Sequence, residues 1–118
     1  MKTIIVVDDS DTNLMMVEEA LEDQYRVMTI PSAAKMFDFL EKIIPDMILL
    51  DIEMPEMNGF EALERLKSRQ SYAGIPVIFL TGYLDDVIKT RSRELGAVDI
   101  ITKPFSAPAL LNCIETHW

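Results

Sequence analysis

The chain alternates between two spacings of apolar residues. Short runs of strand character stand at "TIIVVD" (3–8), "YRVMTI" (25–30), "DMILLD" (46–51), "PVIFLT" (76–81) and "AVDIIT" (97–102). Residues 4–7, 47–50 and 77–80 are apolar without a break, the pattern of strands covered on both faces. Between these runs the apolar spacing lengthens to three and four, as on one face of a helix. Leu14, Val17 and Leu21 mark such a face in 12–23; Met36, Phe37, Leu40 and, just past its end, Ile44 mark one in 33–43. Phe60, Leu63 and Leu66 do so in 59–69, Val87, Ile88 and Leu95 in 85–95, and Leu110, Leu111 and Ile114 in 107–116.

Helix boundaries carry their own signals. Asp11, Ser32, Asp85 and Ser106 are expected N-caps, and Pro108 falls in a first turn, where its missing N–H does no harm. Gly74 and Gly96 are expected to close the third and fourth helices. The pattern is (βα)5, with every connection long enough for a right-handed crossover between parallel strands. Five repeats cannot close an eight-stranded barrel. The expected fold is therefore α/β, an open doubly wound five-stranded parallel sheet with helices on both sides. Ligands in such sheets bind outside the carboxyl ends of the strands.

Those ends are chemically loaded. The first strand runs into Asp8 and Asp9, the third into Asp51, the fourth into Thr81, and the fifth into Lys103 within "ITKPF". Any one of these has an ordinary explanation: an Asp after a strand caps a helix, and a surface Lys is solvated. Five on one edge do not. Two carboxylates about 4 Å apart repel by roughly 1 kcal/mol in water and about 4 kcal/mol at an effective dielectric of 20. Clustered acids must take up a proton, recruit Lys103 or bind a cation. Hard oxygen donors suit Mg²⁺, which keeps several waters and combines one or two carboxylates with phosphate oxygens. With one cysteine and one histidine, the sequence offers no Cys/His cluster for zinc. A metal, an ammonium and a hydroxyl around one acid describe phosphoryl transfer to a carboxylate, and Asp51, alone at its strand end, is the best nucleophile.

Composition narrows the alternatives. At 118 residues and 49% hydrophobic content the chain is expected to be one domain, 1–118, with a real core. Its net charge of −9 gives no electrostatic reason to hold nucleic acid or an anionic membrane. Apolar runs are far shorter than a membrane span, and "MKTIIVVDD" meets acids after only four apolar residues, unlike a signal peptide. A lone Cys113 forms no internal disulfide. A cytoplasmic location is expected.

Together "VVDDSDTN", "ILLDIEMPEMNGFEAL", "VIFLTG" and "DIITKPF" resemble the receiver domain of two-component response regulators, in order and over the whole chain. The resemblance implies a flavodoxin-like sheet in the order 2-1-3-4-5. It implies that Asp51 accepts a phosphoryl group from the phosphohistidine of a sensor histidine kinase or a histidine phosphotransfer protein. Asp9 and Asp51 would ligate Mg²⁺ directly, Asp8 partly through water, and Glu53 through its backbone carbonyl. Thr81 would be the switch hydroxyl and Lys103 the lysine facing the phosphoryl group. The family reports phosphorylation through the fourth helix, fifth strand and fifth helix, here about 85–117, a face that also offers a homodimer contact. Such a domain phosphorylates itself from its donor and is not a turnover enzyme. Ile100 stands where the family usually has Tyr or Phe, so the swing of that ring should be absent or muted.

Other residues are set beside this frame. Met15 and Met16 lie off the apolar stripe of their helix and offer an adaptable patch for the kinase-side partner. Lys89, Arg91 and Arg93 make the one dense basic cluster, an output surface or a solvated face. His117, far from the acids, is expected to be neither phosphodonor nor ligand. "DSDTN" also approaches the signature of haloacid-dehalogenase-like phosphatases, but Asn13 stands where a threonine belongs, and Asp85 and Asp86 precede Lys103 where an acidic pair should follow. A degenerate receiver that only binds is opposed by the intact Asp8, Asp9, Asp51, Thr81 and Lys103. A dinucleotide enzyme is opposed by the lack of G-x-G-x-x-G after the first strand.

Overall fold

The computed structural model describes residues 1–118 as ten alternating elements. The strands are β1 (Thr3–Val7), β2 (Arg26–Ile30), β3 (Met47–Asp51), β4 (Val77–Thr81) and β5 (Asp99–Thr102). The helices are α1 (Asp11–Leu21), α2 (Ala33–Leu40), α3 (Gly59–Lys67), α4 (Asp86–Leu95) and α5 (Ala107–Thr116). All strands pair in parallel, in the order β2-β1-β3-β4-β5. The chain reverses direction across the sheet between β1 and β3, so the acidic strand ends flank the switch point.

The unbroken apolar runs are buried on both faces because side chains alternate sides. Ile5, Val7, Ile48, Leu50, Val77 and Phe79 point into one core layer with Met36 and Leu40 of α2 and Leu63 and Leu66 of α3. Ile4, Val6, Met47, Leu49, Ile78 and Leu80 point into the other, with Leu14, Val17 and Leu21 of α1 and Leu110 and Ile114 of α5. Phe79, the middle residue of β4, meets Phe60 of α3 edge-on at 5.5 Å between ring centres.

Several boundary expectations are corrected. Ser10, not Asp11, caps α1 by accepting from the Asn13 N–H; Asp11 opens the helix, where its charge favours the positive end of the dipole. Gly74 does not close α3, which ends at Lys67, and Gly74 belongs to the turns leading to β4. Gly96 does close α4, at φ 97°. Ile44 lies beyond α2 and is exposed, as is Val87 on the outer face of α4. Ala97 and Val98 precede β5, the Ala97 N–H being spent on Ser92 O at the end of α4.

Candidate functional site

The predicted residues meet at the carboxyl edge of β1, β3, β4 and β5. Asp8 follows β1 directly: its N–H donates to Ile30 O, and its Oδ1 accepts from the Ser10 N–H at 3.0 Å as the chain turns into α1. Asp51 is the last residue of β3, and its Oδ1 accepts from the Glu53 N–H at 3.3 Å. The Lys103 N–H donates to Thr81 O at 2.7 Å, carrying the pairing of β4 with β5 one residue past the strand. That contact brings the ammonium over the edge.

Lys103 Nζ stands 3.1 Å from Asp8 Oδ2 and 3.1 Å from Asp51 Oδ1. Asp8 is wholly buried and Asp51 is 1% exposed, while Asp9 lies exposed at the rim. One oxygen from each of the three acids lies within 4.8 Å of the other two. Burial is the main influence on the Asp51 carboxyl and the Asp8 charge adds to it; Lys103 opposes both, and the result is a value of about 7. For Lys103 burial works downward, but its hydrogen bonds to Asp51 and Asp8 outweigh it and raise the ammonium above its ordinary value. The edge thus holds more negative charge than one lysine offsets. Its all-oxygen donors and surplus charge fit a hard divalent cation.

The Thr81 hydroxyl is buried but engaged away from Asp51. It contacts Glu53 Oε1 at 2.6 Å and Tyr83 O at 2.8 Å, and it accepts from the Tyr83 N–H at 3.2 Å. A hydroxyl has a single proton, so it donates to one of those two oxygens at a time. Sequence reasoning gave Glu53 a backbone carbonyl for the metal and, with Tyr83, a place among positions that tune hydrolysis in the family, but missed this contact of its carboxylate with Thr81. The signal was present: Glu53 and Tyr83 lie two residues past the ends of adjacent paired strands.

Of the other residues singled out, Met15 and Met16 are exposed on α1, and Ile100 is half-buried against the α3 side of the core. Lys89, Arg91 and Arg93 are all exposed, but Arg91 is tied to α3, 3.7 Å from Glu64 and over the Phe60 ring at 4.7 Å. Sequence reasoning set His117 aside and did not foresee its meeting with Asp99 and Cys113. His117 is remote from Asp8, Asp9 and Asp51, yet its Nε2 lies 2.9 Å from Asp99 Oδ2, and Cys113 Sγ lies 3.3 Å from the same oxygen. Burial pushes the Cys113 thiol up to about 12, with Asp99 adding to it. For Asp99 burial works upward, but hydrogen bonds from His117, the Ile100 N–H and Cys113 hold its carboxyl below the ordinary value.

A five-stranded 2-1-3-4-5 sheet bearing clustered aspartates, a threonine and a lysine on its carboxyl edge defines a phospho-accepting signalling module. The family model for the response regulator receiver domain matches residues 4–115, and the chain belongs to that family. It is 39% identical over 115 residues to a probable cyclic di-GMP phosphodiesterase of Vibrio cholerae, covering 98% of this chain but 26% of that protein. It is 29% identical to the polar-differentiation response regulator DivK of Brucella ovis, covering 98% of this chain and 95% of that one. Among solved structures, chemotaxis protein CheY4 of Vibrio cholerae superposes with a TM-score of 0.95 at 28% identity, over 100% of this chain and 99% of its own. The receiver domain of a signal transduction histidine kinase from Syntrophus aciditrophicus gives 0.89 at 33% identity, over 98% and 89%. Receiver domains act in two-component signalling with sensor kinases or phosphotransfer proteins, and they generally bind Mg²⁺ at an acidic pocket. The membership displaces the phosphatase and dinucleotide readings. No helix is long and apolar enough to cross a membrane.

Proposed function

We propose that the whole chain, 1–118, is one receiver domain in which Asp51 accepts a phosphoryl group from a phosphohistidine of a sensor kinase or phosphotransfer protein. The phosphorus–nitrogen bond of the donor breaks as a phosphorus–oxygen bond to Asp51 forms, and the histidine nitrogen leaves as the ring recovers its neutral form. The observation that carries this reading is the buried Asp51 bridged by Lys103 to Asp8, with Asp9 at the rim within reach of both carboxylates. Asp9, Asp51, the Glu53 carbonyl and, partly through water, Asp8 would hold Mg²⁺. When bound, that ion supplies positive charge against the phosphoryl oxygens. Lys103 meets another of those oxygens, and Thr81, on leaving Glu53, donates to a third.

Output is assigned to the face of α4, β5 and α5, where a groove of about 390 Å³ is lined by Leu84, Lys89, Ser92, Arg93 and Ile100 among others. Exposed Val87 and Lys89 beside it suit a protein contact, including a second copy of the chain. Met15 and Met16 suit the kinase-side partner. The domain works in the cytoplasm as a switch, one phosphoryl group per chain, without turnover of an outside substrate. Incubation with acetyl phosphate and Mg²⁺ tests it: intact-mass analysis should show one alkali-labile phosphoryl group, lost with chelator and absent from Asp51→Asn. A group placed on any residue other than Asp51, or none at all, overturns the reading.

A further inference from the structure

Away from the acidic edge, the chain's sole cysteine and sole histidine come together with an acid. Cys113 and His117 are four residues apart at the end of α5 and so share one face of it, turned toward the first residue of β5. Asp99 Oδ1 is held by the Ile100 N–H at 2.8 Å. That hydrogen bond leaves Oδ2 as the oxygen facing Cys113 Sγ at 3.3 Å and His117 Nε2 at 2.9 Å. One ligand atom from each residue lies within 4.8 Å of the other two.

We propose that Asp99, Cys113 and His117 form a site for a divalent transition cation of the zinc type, distinct from the magnesium-type edge. Zinc bound at about 2.3 Å to sulfur and about 2.0 Å to nitrogen and oxygen, in tetrahedral array, sets its sulfur and oxygen donors about 3.5 Å apart and its nitrogen and oxygen about 3.3 Å apart. The observed separations are within a few tenths of an ångström of these, so closing on the ion needs only small outward shifts. The donor set decides the cation. Thiolate, imidazole and carboxylate are the ligands zinc takes, whereas the acidic edge offers oxygen alone, so the two sites sort cations by softness.

The position also admits an ion. The Asp99 side chain is 43% exposed and that of His117 23% exposed, which gives entry from solvent and leaves a fourth position for water or an outside ligand. On binding, the Cys113 S–H bond breaks, its proton goes to solvent, and a sulfur–metal bond forms; His117 binds through neutral Nε2. The site lies about 13 Å along β5 from Lys103, at the other end of the strand that carries Ile100. This assignment stands independently of the phosphoryl reading.

Cobalt serves as the probe because a thiolate ligand gives it a distinctive charge-transfer band. The reduced chain, with Mg²⁺ in excess to fill the acidic edge, is titrated with Co²⁺ and then Zn²⁺. One equivalent of cobalt should bring up the near-ultraviolet thiolate band with the visible bands of a tetrahedral centre, and zinc should abolish both. Cys113→Ser should lose the thiolate band. His117→Ala and Asp99→Asn should each weaken binding by at least the roughly 10–100-fold that loss of an outer-shell partner costs. Cobalt bound without a thiolate band, no binding, or a band whose affinity is unchanged in both His117→Ala and Asp99→Asn would each overturn the site. The wild-type spectrum decides even where a variant folds poorly.

Discussion

At the scale of single residues, the free energy of the acidic edge turns on Asp51. Its carboxyl sits at about 7 in the fold against 3.8 unfolded, so between those values the native state holds a proton that the unfolded chain releases. Stability therefore falls as pH rises through that window. Replacing Asp51 by Asn removes the repulsion with Asp8 and leaves Asp8 paired with Lys103. In chelator, Asp51→Asn should be more stable than the wild type by about 1–3 kcal/mol at pH 8 and about equal to it near pH 4, read from urea unfolding midpoints. A gain that is independent of pH would mean Asp51 is ionised throughout. Thr81 presents a second balance. Its contacts with Glu53 Oε1 and Tyr83 O keep the hydroxyl from the phosphoryl side, and a hydrogen bond of this kind contributes about 0.5–1.5 kcal/mol. Glu53→Ala should therefore speed phosphorylation of Asp51 by a small donor by roughly 2–10-fold, measured as the rate of mass gain. A slower rate would show that Glu53 assists the transfer.

At the scale of elements, the site depends on how closely α3 approaches the end of β3. The Gly59 N–H donates to Ile52 O at 2.9 Å, and a Cβ on Gly59 would lie 2.5 Å from Asp51 O and 2.8 Å from Ile52 Cα. Only glycine permits that approach, because the obstruction is backbone and cannot rotate away. Asn58 then starts α3 with a capping box, its side chain accepting from the Glu61 N–H while Glu61 accepts from the Asn58 N–H. Gly59→Ala should cost about 1–3 kcal/mol, seen as a lower unfolding temperature, and should also slow phosphorylation because the loop from Asp51 to Asn58 must shift. An unchanged melting temperature would show that α3 can back away freely. The hydrophobic spacing could locate α3 but not this contact, since what demands the glycine is the backbone of Asp51 and Ile52 at the end of β3, on another element.

At the scale of the whole molecule, the alternation of apolar runs was enough to foresee the five strands, the order of elements and the edge where chemistry collects, because each follows from local periodicity and connection length. What stayed hidden depends on the meeting of distant segments. The Glu53–Thr81 contact joins the ends of β3 and β4, and the Asp99–Cys113–His117 cluster joins β5 to the end of α5. Charge shows the same division. A net −9 is visible in the sequence, but only the fold concentrates Asp8, Asp9 and Asp51 around one ammonium, leaving two uncompensated negative charges when all three acids are ionised. The unfolded chain has no such concentration and so no comparable affinity for a divalent cation. Binding to the native state alone stabilises it by RT ln(1 + [L]/Kd), about 2.7 kcal/mol at a hundredfold excess over Kd. Mg²⁺ should therefore raise the unfolding midpoint of the wild type at pH 8 steadily with the logarithm of its concentration, well beyond the effect of NaCl at matched ionic strength. Asp9→Asn should flatten that rise while leaving the metal-free midpoint nearly unchanged, since Asp9 is exposed at the rim and loses little repulsion when neutral. If NaCl reproduces the magnesium effect, the acids act as a diffuse charge screened by salt, and the edge is not a metal site.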